Sequence, residues 1–233
     1  MNTSCCTNPI RINTLLIKNR IVFPAMCTKY AAPDGGVTER MLRYYEERAK
    51  GGAGLVTIEA TSVDPTGNSF SRGLSIADDA RLPGLTDLAR RVKRHGARIS
   101  IQLQHGGRAA LPIFGSCLCI RHRRDPYDNS VILSEGNRPP RGMLGQGRHP
   151  GPRSRFDAVK PRGAGYLISQ FLSLYQPAHR RIRRFAGNRM LRPGVCRKVR
   201  ESVGRFPGHH RMSAVEGLPA APRWRITSSP SGW

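Results

Sequence analysis

The chain reads as an α/β protein with parallel strands, and three observations predict it. Apolar runs alternate with amphipathic helices in the order strand, helix, strand, helix, strand across residues 21–103. Each helix is followed by a glycine stop, at Gly51-Gly52 and at Gly96. The middle strand, Leu55-Val56-Thr57-Ile58, is nearly all apolar, as in sheets covered on both faces. The alternation suits an open parallel sheet and a (β/α)8 barrel equally.

Element by element, Ile21-Val22-Phe23-Pro24 is a β-branched and aromatic run that predicts the first strand. Asp34-Gly35-Gly36 is a turn, and Thr38 stands where a helix N-cap belongs. Met41, Leu42, Tyr45 and Ala49 then share one helical face, with Glu39, Arg43, Glu46, Glu47 and Lys50 mostly on the other. After the second strand, Pro83 and Gly84 precede a helix whose Leu85, Leu88, Ala89 and Val92 recur at i, i+3, i+4 and i+7. Ile99-Ser100-Ile101-Gln102-Leu103 is the third strand.

Composition changes near Leu111. Residues 1–110 hold 16 Lys and Arg against 9 Asp and Glu; residues 111–233 hold 23 against 6. Proline divides 5 to 13 across the same point. The expected organisation is therefore a folded α/β part over 1–110. The Arg-, Pro- and Gly-rich remainder over 111–233 is expected to be largely irregular. No window reaches the ~18 apolar residues of a membrane helix, and Met1 to Asn13 lacks a signal-peptide core. Six cysteines in 233 residues fit a reducing compartment, so a cytoplasmic protein without membrane partners is expected. The net charge of +24 raises a competing function, polyanion binding through runs such as Arg180-Arg181-Ile182-Arg183-Arg184. No zinc module or aromatic stacking array accompanies that run, so specific nucleic-acid recognition is not expected.

In either α/β architecture ligands gather at the carboxyl ends of the strands. Those ends carry Pro24-Ala25-Met26-Cys27, then Glu59-Ala60-Thr61, then Gln102 through Arg108. Gln and His beside glycines can hydrogen-bond a polar ring while the backbone lets it approach. Each also has a plainer reading: a lone Cys27 as a small buried hydrophobe, His105 as a packed structural histidine, Gly106-Gly107 as a turn. No dinucleotide-binding glycine fingerprint and no P-loop is present. Cys117, Cys119 and His122 have no second pair at zinc-ligand spacing, so no metal is expected.

The stretch Lys18-Asn19-Arg20-Ile21-Val22-Phe23-Pro24-Ala25-Met26-Cys27-Thr28-Lys29-Tyr30 resembles the opening of the Old Yellow Enzyme family. The likeness is nearest to its NADH:flavin oxidoreductase, 2-enoate reductase and 2,4-dienoyl-CoA reductase branch. Tyr44-Tyr45 with Arg48 through Leu55, then Glu59-Ala60-Thr61, then Gln102 through Arg108 continue the likeness in family order. The resemblance implies the barrel form of the fold, with FMN at the strand tips. It also implies NADH or NADPH as hydride donor, and a small-molecule enone or enoyl compound as acceptor. It places Pro24, Ala25, Met26 and Cys27 along the flavin, Cys27 tuning its potential. Ala60 would offer backbone to the ring, and Gln102 would bond the pyrimidine edge. Tyr166 matches a proton donor, and Arg211 matches an arginine beside the flavin N1–O2 edge.

Beyond Leu111 the likeness continues as islands, among them Phe156-Asp157-Ala158-Val159 and Gly165-Tyr166-Leu167. The text between them is expected to be out-of-frame translation of a GC-rich gene. Lys160-Pro161-Arg162-Gly163-Ala164 stands where the family carries its two carbonyl-gripping side chains, so neither is expected here. A complete barrel needs ~250 residues; this chain is expected to be a truncated barrel of doubtful catalytic competence.

Overall fold

The computed structural model describes residues 4–111, 155–163 and 166. A four-residue helix, α1 (Ser4–Thr7), leads into an antiparallel hairpin of β1 (Ile10–Ile12) and β2 (Leu15–Ile17). Neither was expected from the sequence, because three-residue strands show no usable periodicity. Asn13, at the hairpin turn, adopts a left-handed φ of 55°. The hairpin is tied to the amino end of the main sheet, where Arg98 Nε donates to the Leu16 carbonyl at 2.9 Å.

The main sheet is parallel, in the order β3 (Val22–Phe23), β4 (Leu55–Ser62), β5 (Arg98–Gln104), β6 (Ala158–Pro161). Sequential order without a reversal is what successive staves of a barrel produce. Helix α2 (Glu39–Lys50) joins β3 to β4, and α3 (Leu82–Lys93) joins β4 to β5. Residues 158–161 fall in the half expected to be irregular, yet they form a strand of the same sheet as the amino-terminal elements. A four-residue strand that ends on Pro161, between Asp157 and Arg162, carries too little pattern to be read alone; pairing with β5 defines it. The remaining expectations for 111–233, including the frame changes and most islands, lie outside the described residues.

Both long helices start and stop where their side chains dictate. Thr38 Oγ1 accepts the Met41 N–H at 3.3 Å and donates to the Tyr30 carbonyl at 2.5 Å, so it caps α2 and pins the preceding loop. At the other end the left-handed φ falls on Gly52, at 101°, rather than on Gly51. The buried face of α2 is Met41, Leu42, Tyr45 and Ala49, together with Glu46. That of α3 is Leu85, Leu88, Ala89 and Val92. Both faces match the periodicity in the sequence. They enclose one core with Val56 and Ile58 of β4, Ile99, Ile101 and Leu103 of β5, and Val159 of β6. Outside the core, Arg91 of α3 makes a two-pronged pair with Glu39 of α2, both contacts 2.9 Å.

Side chains alternate across a strand, so the residues between these core positions point to the sheet's other face. That face is polar: Ser100, Gln102 and Gln104 from β5, and Thr57 from β4, whose Oγ1 accepts from Ser100 Oγ at 3.0 Å. All four are buried. A buried polar row on the face away from the helices is the inner wall on which a site can be built.

Candidate functional site

The inner wall changes phase within β4. Thr57 pairs with Ser100 and Ile58 with Ile101, but the next pairs are Ala60 with Gln102 and Ser62 with Gln104. Glu59 is the extra residue of a bulge. Its N–H donates to the Tyr45 hydroxyl at 2.9 Å. Strict alternation would have turned Ala60 toward the helices; the bulge turns it to the inner face, level with Gln102.

The Glu59 carboxylate has its own partners. Its Oε2 accepts from the Thr28 N–H at 2.7 Å and from Thr28 Oγ1 at 2.5 Å, with the Tyr45 hydroxyl at 3.4 Å. These bonds stabilise the charged form, but burial is the larger effect and raises the Glu59 pKa. The chain segment after β3 is thereby tied to the tip of β4, with Cys27 directly before the tether.

Three of the sequence-predicted residues meet around Arg162, and a fourth, Ala60, adjoins two of them. Cys27 is exposed as a residue. Its thiol pKa is nonetheless raised, by desolvation first and the nearby Glu59 carboxylate second. The Arg162 charge and hydrogen bonds from the Ala60 backbone and Arg162 act in the opposite direction. Arg162 Nη1 donates to Gln102 Oε1 at 3.1 Å. The same guanidinium lies 4.2 Å from the centroid of the Tyr166 ring, which meets Phe70 edge-on at 6.2 Å. Cys27, Gln102 and Tyr166 therefore surround one guanidinium, with Ala60 bonded to Cys27 and paired with Gln102, at the tips of β3 to β6.

The other expected residues are placed less centrally. Ala25 is buried; Pro24 and Met26 are exposed on the same segment. Arg211 lies outside the described residues, as do Arg180 to Arg184, Cys117, Cys119 and His122. His105 is buried, and its Nδ1 accepts the Gly107 N–H at 3.0 Å, which leaves Nε2 as the protonated nitrogen. Burial lowers its pKa against the opposing pull of Asp64, so the ring is held neutral. Its close neighbour is Gly67, where a Cβ would stand 2.6 Å from the ring. Any larger residue there would expel the imidazole.

Sequence reasoning missed Arg162, Tyr45 and the tether role of Glu59. The signal for Arg162 was its place just past a short apolar pair, Ala158-Val159, at a strand end. Tyr45 looked like one more apolar position of α2. Its hydroxyl function emerges only against the bulge.

The Nε2 of Gln102, both amide atoms of Gln104 and the Nε2 of His105 are buried with no hydrogen-bond partner among the described residues. Orphaned donors and acceptors on a strand-tip wall beside the small Ala60 suit a flat heteroaromatic ring with an acceptor-bearing edge. Gln102 and the Ala60 backbone would hold such a ring's polar rim. The residues present fit a flavin at this point of the fold.

Fold and site together define a segment of a (β/α)8 barrel whose strand tips suit a flavin. Residues 7–113 match the profile of the NADH:flavin oxidoreductase / NADH oxidase family. FMN, with NADH or NADPH as hydride donor, is accordingly the cofactor set of the family. A similar protein is an NADH oxidase of Thermoanaerobacter brockii, 33% identical over 225 residues, covering 88% of this chain and 33% of the relative. An NADPH dehydrogenase of Geobacillus sp. (strain WCH70) is 35% identical over 179 residues, covering 71% of this chain and 50% of the relative. The chain thus spans between a third and a half of these relatives. In fold it is similar to the Old Yellow Enzyme homologue of Zymomonas mobilis, with a TM-score of 0.73 at 24% identity. That match covers 90% of this chain and 63% of the other. Among the described residues no helix is long and apolar enough to cross a membrane.

Proposed function

We propose that this chain binds FMN at the tips of β3 to β6 and serves as an ene-reductase. When bound, FMN supplies hydride chemistry, taking hydride from NADH or NADPH and delivering it to the β-carbon of an activated alkene. One observation carries the reading. Cys27, Gln102 and Tyr166, from three separate segments, converge on Arg162 with Ala60 beside two of them, while Gln102 keeps a buried N–H without a partner among the described residues.

The roles follow from chemistry and position. Gln102 Nε2 donates to a carbonyl on the pyrimidine rim, gaining the hydrogen bond it otherwise lacks. Ala60 presents backbone with no more than a methyl group beside it. Pro24, Ala25, Met26 and Cys27 line one side of the ring, and the thiol beside it tunes its potential. Tyr166 delivers a proton to the α-carbon of an enone or enoyl substrate. By the family resemblance Arg211, outside the described residues, would supply positive charge at the flavin N1–O2 edge.

The test is direct. Purified protein titrated with FMN should quench flavin fluorescence, and anaerobic NADH or NADPH should bleach the bound flavin. Under turnover with 2-cyclohexen-1-one, cyclohexanone should accumulate. Gln102→Leu should weaken FMN binding by roughly tenfold, the value of about one good hydrogen bond. Protein that takes up no flavin defeats the whole reading; flavin that bleaches while the enone stays intact defeats only the ene-reductase part.

A further inference from the structure

The face of the molecule at the amino ends of the strands is basic and partly apolar. The first 33 residues hold four bases, Arg11, Lys18, Arg20 and Lys29, and no acid. Arg11 stands directly opposite Leu16 in the β1–β2 hairpin, so both side chains lie on one face of it. Ile17, next along, is 1% exposed, which puts Leu16 on the outer side. Leu16 is 47% exposed; Ile12 beside the hairpin tip and Ile21 just past the hairpin are 40% and 48%. Single apolar residues scattered on a surface carry no meaning. Among the described residues, though, every exposed large hydrophobic falls between Ile12 and Met26.

The face is knit together by its backbone carbonyls. Arg98 Nε donates to the Leu16 carbonyl at 2.9 Å, Lys18 Nζ to that of His95 at 2.8 Å, and the Gly54 N–H to that of Ile21 at 2.9 Å. Helices α2 and α3 run back to the same end and add Lys50 and Arg94. The acids there are already engaged: Glu46 by Arg94, Glu47 by Lys50 and Asp157 by Lys93. Arg11, Lys18 and Arg20 are exposed. A second copy on this face would set base against base. Residues 111–233, with 23 Lys and Arg against 6 Asp and Glu, would do the same. A nucleic acid would use the bases and leave Leu16, Ile12 and Ile21 idle. An anionic lipid surface uses both, its headgroups taking the bases and its acyl boundary the apolar side chains. Such contact needs no spanning run, so the lack of one in the sequence does not bear on it.

We infer that the hairpin face, through Arg11, Lys18, Arg20, Leu16, Ile12 and Ile21, docks on anionic lipid bilayers. The strand tips of the proposed flavin site lie at the opposite end of the sheet, so docking leaves them uncovered and the inference does not depend on that site.

The full chain is sedimented with vesicles of phosphatidylcholine, alone or with about one-third phosphatidylserine, at about 0.15 M salt, where remote charges are screened. It should bind the anionic vesicles at least ~10-fold more tightly. Arg11→Gln and Arg20→Gln should each weaken that binding ~5-fold, the worth of one base at such a surface. Leu16→Ser with Ile12→Ser leaves the charge unchanged and should weaken it ~10-fold, through lost apolar insertion. Arg43→Gln, on the flank of α2 at 76% exposure, should bind as the wild type does. Equal binding to both vesicles overturns the inference. So does anionic binding that the serine pair leaves unmoved, because it then belongs to the charge of the whole chain. A dimer in analytical ultracentrifugation that the serine pair dissolves overturns it in favour of a second copy. Tighter binding to a short DNA duplex, lost in Arg11→Gln, overturns it in favour of nucleic acid. If the serine pair fails to fold, Arg11→Gln and Arg20→Gln compared with Arg43→Gln decide the matter.

Discussion

The Tyr45 hydroxyl accepts the Glu59 backbone N–H at 2.9 Å, at the residue where β4 changes register against β5. A helix side chain here replaces the strand partner that the bulge removes. The consequence lies on the opposite face, where Ala60 turns inward beside Gln102. The same hydroxyl reaches the Glu59 carboxylate, which holds Thr28 and with it the Cys27 segment.

Removing that hydroxyl should therefore cost more than a surface bond. Tyr45→Phe leaves a buried N–H without a partner, a loss of about 1–3 kcal/mol. Urea unfolding monitored by circular dichroism should show it. A change below about 0.5 kcal/mol would mean that the bulge is held by packing alone.

Glu59 should give stability a dependence on pH. Its folded pKa is raised above the ordinary 4.5, chiefly by burial. The folded state thus holds the proton more tightly than the unfolded state, and this contribution is fully present below the ordinary value. It is lost as pH rises through the raised folded value. Glu59→Gln should flatten that decline in urea titrations across the window. The same variant removes the negative charge that raises the Cys27 thiol. Alkylation at Cys27, followed by peptide mass spectrometry near neutral pH, should therefore quicken.

His105 acts in the opposite sense. Burial holds its pKa below the ordinary 6.5, so its contribution is present above that value. It disappears as pH falls through the lower folded value. His105→Gln should remove this part of the acid destabilisation. An acid limb identical in wild type and variant would show that the ring titrates alike in the folded and unfolded protein.

Thr38 offers a test of the α2 start. Its oxygen caps Met41 and its hydrogen serves Tyr30, so Thr38→Ala should cost about 1–2 kcal/mol, at the upper end for caps. Thr38→Ser keeps both bonds and should recover most of the loss in thermal melts. Failure of serine to rescue would assign the cost to the lost methyl group.

The core of α3 should be more demanding. Leu88 is fully buried against the sheet, and Leu88→Ala should destabilise by about 2–5 kcal/mol, with the spread set by how far the cavity collapses. Measurement of the urea midpoint at unchanged slope would confirm a loss of packing without a change of fold.

The amino-acid order by itself determined the α/β class, the two long helices with their buried faces, the Thr38 cap and the three strands from Val22 to Gln104. These are local matters: periodicity of 3.6 or of 2, a capping oxygen, a glycine able to turn left-handed. It also named Cys27, Ala60, Gln102 and Tyr166, because strand tips and family blocks can be read along the chain. What only the tertiary structure decided was how those residues meet. Ala60 faces inward because a tyrosine 14 residues before Glu59 captures the Glu59 N–H, and no period in β4 announces that bulge. Arg162 joins Cys27 to Gln102 because Ala158 and Val159 pair with β5 some 58 residues back, a contact whose partners are remote in sequence. Register, bulge and cross-strand neighbours depend on which backbone groups find partners once the sheet assembles, and that choice has no local signature.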